Sequence, residues 1–117
     1  MVDAACAHEG LVMIELERRY TLSDDDALAR AHALTDYWAK KHGVNVVWRE
    51  QEVRLHGRVM GVKFDGTVSI RDGRIHASFD AGFLAQKLGA RAYVERKLDD
   101  YLDPAHSVES LRARIPR

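Results

Sequence analysis

Between Val62 and Arg71 apolar and polar positions alternate without a break. Val62, Phe64, Gly66, Val68 and Ile70 take one phase; Lys63, Asp65, Thr67, Ser69 and Arg71 take the other. A period of two over ten residues is a strand with one buried and one solvated face. Asp72-Gly73 tolerates the positive φ of a two-residue turn. The chain then returns with Ile75, Ala77 and Phe79 opposed to Arg74, His76, Ser78 and Asp80. Shorter alternations predict three more strands: Val12, Ile14 and Leu16 within 12–19, then Val44, Val46 and Trp48, then Val53 and Leu55, with a turn or bulge over 57–61.

Helical signals frame these strands. Ser23 can accept from an early backbone N–H, and Asp24, Asp25 and Asp26 suit the positive end of a helix dipole. Leu28, Ala31, Leu34 and Trp38 recur at helical spacing. Lys40, Lys41 and His42 load the last turn, and Gly43 suits a left-handed cap, so the helix spans 24–42. After Asp80 the period changes again: Phe83, Leu84, Leu88, Val94, Leu98, Tyr101 and Leu102 form an apolar stripe, interrupted at Gly89 and stopped by Pro104. Ser107 can cap a brief turn carrying Val108, Leu111 and Ile115. The expected architecture is an α+β fold, β-α-β-β-β-β-α, with an antiparallel sheet covered on one face by two helices. One domain over 12–103 lies between a flexible N-terminal tail, 1–11, and a C-terminal tail, 104–117, that holds a short helix. Trp38, Trp48, Phe64 and Phe79 are the expected core anchors.

Composition narrows the class of protein without naming its chemistry. In 117 residues the 18 Lys and Arg balance the 18 Asp and Glu, which gives no bulk electrostatic argument for a nucleic-acid or membrane partner. Apolar residues at 46% and charged residues at 31% describe a globular chain. Cys6 stands alone, which excludes an internal disulfide and fits a reducing compartment. No apolar run is long enough to span a bilayer, and the first residues lack the pattern of a signal peptide. The expected location is the cytoplasm.

Candidate chemistry is sparse. Cys6 and His8 offer two metal donors without further partners, and three consecutive aspartates on a helix point in three directions. Ser69 or Ser78 could be combined with His76 and with Asp65 or Asp80 as a triad, but no GxSxG elbow presents a serine. Neither GxGxxG nor GxxxxGK[ST] occurs. The sequence therefore predicts no enzyme, no cofactor and no metal. What remains is the polar phase of the sheet, with Arg49, Arg54, His56, Arg58, Lys63, Arg71, Arg74 and His76 against Asp65 and Asp80. Arg54, His56, Lys63, Arg71, Arg74 and His76 are the candidate partner face. A sheet that reads single-stranded RNA adds aromatics for stacking, and here the aromatics take the opposite phase, which argues against nucleic acid.

Several strings carry a family likeness: the strand and helix from Ile14 to Trp38, His42-Gly43 before Val46-Val47-Trp48, Gly61 before the hairpin, and Gly82-Phe83-Leu84 through Leu98-Asp99-Asp100-Tyr101-Leu102. In these the chain resembles the polyhydroxyalkanoic acid system family, also described as polyhydroxyalkanoate granule-region proteins. The likeness covers residues 12–103, and the segment from Pro104 to Arg117 has no place in it. It implies a link to the synthesis or handling of a storage polymer in a bacterial cytoplasm, without implying an activity, and the leading expectation is an accessory or binding protein at the granule surface or its proteins. It implies no catalytic residue.

Other readings stay open at this point. The apolar C-terminal stripe could lie on a polymer surface, although the sheet has first claim on it. The polar face could take an acidic partner or a second copy of the chain, and an open edge strand could also pair. A curved sheet gripping the last helix could instead enclose an acyl or other apolar ligand. The basic face leaves RNA binding as a third reading.

Overall fold

The computed structural model of the protein describes residues 11–59, 62–82 and 89–116. The strands are β1 (Leu11–Arg19), β2 (Asn45–Arg49), β3 (Glu52–Val59), β4 (Val62–Arg71) and β5 (Arg74–Gly82). The helices are α1 (Asp24–His42), α2 (Ala90–Tyr101) and α3 (Val108–Arg112). All strand pairs are antiparallel and the sheet order is β1-β5-β4-β3-β2. The last four strands form the expected meander. The first strand closes the sheet on the far side, beside β5, so α1 must carry the chain from one edge to the other.

Local chemistry explains the element ends. Ser23 Oγ accepts from the Asp26 N–H at 3.1 Å, and Gly43, at φ +70°, ends α1 with its N–H directed to Ala39 O. Asp72 and Gly73 both have positive φ, +55° and +75°, as a two-residue hairpin turn requires. The turn expected over 57–61 is displaced: Gly57, Arg58 and Val59 remain in β3, paired with Phe64, Lys63 and Val62. Gly57 serves a close approach instead, since a Cβ there would lie 3.2 Å from Val44 Cα.

Ile14, Leu16, Val53, Leu55, Ile70, Ile75, Ala77 and Phe79 form the sheet's side of the core. Ala27, Ala31, Leu34 and Trp38 of α1 and Leu98 and Tyr101 of α2 form the other side. Trp38 and Phe79 are buried core anchors. Trp48, on an edge strand, is only half-buried against the core, a departure from its expected place at the centre. The Phe64 side chain, residues 83–88 and the N-terminal segment with Cys6 and His8 lie outside the described parts. Among the described residues the cavity between sheet and helices is about 20 Å³ and lined mainly by apolar side chains. That holds roughly one water, against the ~300–1,000 Å³ typical of small-molecule sites. An enclosed acyl chain has no room there.

Three polar devices tie the layers together. Tyr20 Oη donates to Asp24 Oδ1 at 2.5 Å, Gly73 N–H donates to the same oxygen at 3.1 Å, and Tyr20 N–H donates to Gly73 O at 3.0 Å. The hairpin turn is thereby clamped to the start of α1. Arg18 leaves β1 for α2, reaching Asp99 at 2.9 Å and Glu95 at 3.4 Å. Arg30 of α1 is buried, with 4% of its surface exposed. Its Nε pairs with Asp26 at 3.1 Å, Nη1 donates to Tyr101 O at 3.1 Å and Asp103 O at 2.9 Å, and Nη2 donates to His106 O at 2.6 Å. Arg30 thus organises the chain leaving α2. Beyond it, Ser107 caps α3, which packs on α1 and buries Leu111 completely.

The clamp has a pH signature. The Tyr20 hydrogen bond, and after it the Gly73 N–H, hold the Asp24 carboxyl below its ordinary value; burial, then the bond to Asp24, push the Tyr20 hydroxyl up. A carboxylate depressed in the folded state adds stability above its unfolded pKa, about 3.9, and loses it as pH falls through the folded pKa. Asp24→Asn keeps an acceptor but not the charge. The expected result is a urea midpoint below that of the unsubstituted protein at pH 7, with a narrower gap at about pH 3, below the unfolded pKa. A gap equally wide at both pH values would show that the charge has no role.

Candidate interaction face

Among the described residues the helices cover one side of the sheet, and the side chains of the other side are exposed or half-exposed. Strand register assigns its side chains to rows. One row runs Glu17, His76, Ser69, Glu52, Arg49 from β1 to β2, and the next runs Glu15, Ser78, Thr67, Arg54, Val47. A third holds Asp80, Asp65, His56 and Asn45. Arg19, Arg74 and Arg71 lie side by side at the hairpin end, and Arg58 faces Lys63 at the opposite end.

Contacts between basic and acidic side chains run across these rows and along one of them. Arg74 Nη1 lies 3.3 Å from Glu17 Oε2, His76 Nε2 3.3 Å from Glu15 Oε1, and His56 Nδ1 3.5 Å from Asp65 Oδ2. All are about half exposed, so each is worth roughly 0–1 kcal/mol and none holds the fold. The face is less basic than the meander alone implies. Glu15 and Glu17 come from β1, and their place beside His76 and Arg74 follows from the β1–β5 pairing, which no local pattern in the sequence announces.

Of the six predicted partner-face residues, the structure brings three together. Arg71, Arg74 and His76 line a shallow depression with Glu17, Ser69 and Asp72. Arg54 and His56 stand on β3, and Lys63 lies at the far end of β4. His56 and His76 occupy different rows with β4 between them, so they form no pair. His76 does face Ser69 in register, but its imidazole turns to Glu15, while Asp65 and Asp80 sit in the row of His56. Among the described residues no three His, Cys, Asp or Glu side chains are grouped to hold a metal ion.

The helical layer commits its aromatic and apolar side chains to packing. His32 stacks on Trp48 with ring centroids 3.8 Å apart, and burial pushes its imidazole below the ordinary value. Trp48 Nε1 donates to Thr35 Oγ1 at 3.2 Å. Leu98 and Tyr101 are buried, and Val94 and Leu102 pack against the core, so the described part of the apolar stripe is consumed by the sheet. Val47, 59% exposed on the edge strand β2, is the exposed large apolar residue of the described chain. No helix among the described residues is long and apolar enough to cross a membrane.

Comparison with known proteins adds one finding. The family model described as "Putative polyhydroxyalkanoic acid system protein" matches residues 14–105, from β1 through α2 and the turn that Arg30 holds. Helix α3 lies beyond the matched span. No curated protein and no solved structure matches the chain.

Proposed function

The chain belongs to the family of putative polyhydroxyalkanoic acid system proteins, and on that premise we propose that it is a non-enzymatic accessory protein of the bacterial cytoplasm that binds polyhydroxyalkanoate granules through the open face of its sheet. The observation that supports this reading is the uncovered face itself. Five strands hold Arg, His, Ser, Thr and carboxylate side chains at fixed register, while the described apolar surface of both long helices turns inward. A polyester of hydroxy acids presents ester carbonyls and chain-end carboxylates, both acceptors for Arg and His N–H groups.

Co-sedimentation with granules tests the reading. Arg54→Glu combined with Arg74→Glu reverses charge on two strands of the face; Arg96→Glu reverses one charge on the exposed side of α2, against which Arg74→Glu alone is the matched single reversal. The face variant is expected to sediment at least about tenfold less, a loss of ~1.4 kcal/mol, with Arg96→Glu unchanged and circular dichroism identical for all. Equal binding by both variants, or no sedimentation of the unsubstituted protein, would overturn the proposal. Repeating the assay on granules stripped of protein separates the polymer from a resident granule protein as the partner.

A further inference from the structure

We propose that Arg19, Arg74 and Arg71 form a binding site for a multiply charged phosphate-type anion, such as a diphosphate or phosphate ester, at the hairpin end of the open face. The register sets Arg19 opposite Arg74 and Arg74 opposite Arg71, on three consecutive strands. Neighbouring strands are ~4.8 Å apart, so the three stems rise within about 10 Å of one another. All three side chains are exposed.

Like charges directly opposite on a sheet destabilise it, and here the compensation is incomplete. Arg74 pairs with Glu17 at 3.3 Å, whereas Arg19 and Arg71 have no carboxylate within ion-pair distance among the described residues. The depression itself is lined by Arg71 and Arg74 against Glu17 and Asp72, and Arg19, beside Arg74 in register, adds a third guanidinium outside that lining. The platform is held in place, because the turn between Arg71 and Arg74 is clamped to α1 through Gly73, Tyr20 and Asp24. Ser69 and His76 line the same depression as further polar groups.

The charge and shape of this comb select the ligand class. A guanidinium fork binds a carboxylate or a phosphate through two parallel hydrogen bonds. One carboxylate can be met by one guanidinium, and Glu17 already takes one hydrogen bond from Arg74. Three guanidinium groups side by side on adjacent strands suit an anion with more oxygens and more charge. Register, ion pairing and the clamped turn define this site without reference to the granule, so failure of granule binding leaves it intact.

Titration of isotope-labelled protein with inorganic pyrophosphate, followed by nuclear magnetic resonance at low ionic strength, tests it. Saturable shifts are expected at Arg19, at 71–74 and at His76, with acetate producing far weaker ones. Arg71→Gln should weaken pyrophosphate about tenfold. Arg58→Gln, which removes the same charge from the like-charged pair at the other end of the face, should leave the affinity unchanged. Glu17→Gln should tighten binding, because it frees Arg74. The spectra also report that each variant is folded. Absence of saturable shifts, equal weakening by Arg58→Gln, or acetate binding as tightly as pyrophosphate would each overturn the assignment.

Discussion

Replacing Arg30 with methionine is expected to remove about 3–5 kcal/mol of folding stability, the range for breaking a buried charged network on one side. Methionine fills much the same space as the arginine stem, so the loss is not one of packing. It arises because the carbonyls of Tyr101, Asp103 and His106 lose the guanidinium together, Asp103 keeping only the His106 N–H, and Asp26 loses its partner one turn away. Arg30→Lys should recover only a small part, since a single ammonium cannot reach carbonyls spread over six residues in the way a planar fork does. The urea midpoint measures the loss. Amide exchange gives a local reading: protection at Ser110 and Leu111 should fall in Arg30→Met before protection at Ile70 or Ala77. A change below about 1 kcal/mol would place Arg30 with ordinary surface ion pairs and show that water replaces it readily.

Gly66→Ala is expected to destabilise by about 1–3 kcal/mol, the usual result of overpacking a filled core. Phe79 lies directly across from Gly66, and an added Cβ would meet Phe79 Cδ1 at 2.8 Å and the Ser78 carbonyl oxygen at 2.9 Å. The aromatic ring can turn aside, but the backbone oxygen cannot. Phe79→Leu in the Gly66→Ala background should therefore restore only part of the loss, and the two substitutions should be non-additive because they share one contact. Strict additivity in denaturant midpoints would mean that the ring and the glycine do not meet.

The features legible in the sequence are those whose cause is local. Alternation from Val62 to Phe79 predicts both strands of the hairpin, and Asp72-Gly73 predicts its turn. Ser23, the three aspartates, the basic last turn and Gly43 mark α1 at both ends. What the sequence hides depends on distant partners. An arginine in a helix is by default a solvated charge, and Arg30 differs only because three backbone carbonyls more than seventy positions away converge on it. The site divides in the same way. Alternation assigns Arg71, Arg74 and His76 to the open face. Their grouping with Glu17, and the alignment of Arg19 beside Arg74, need the pairing of the first strand with the fifth. Trp48 reads as a core residue from its phase alone; its place on an edge strand is a matter of sheet order.

That sheet order also bears on how the chain folds as it is made. Strand β1 is synthesised first, yet its sheet partner is β5, with Ile14 set against Phe79. The β4–β5 hairpin needs only two turn residues to close, whereas joining β1 to it closes a loop that contains most of the domain, which is entropically unfavourable. On the ribosome β1 therefore waits as an unpaired apolar strand until Gly82 has emerged. A nascent chain halted before β5 is complete exposes that strand to other chains, and such species are the aggregation-prone ones. The expected order is a meander that assembles from its own turns before β1 docks.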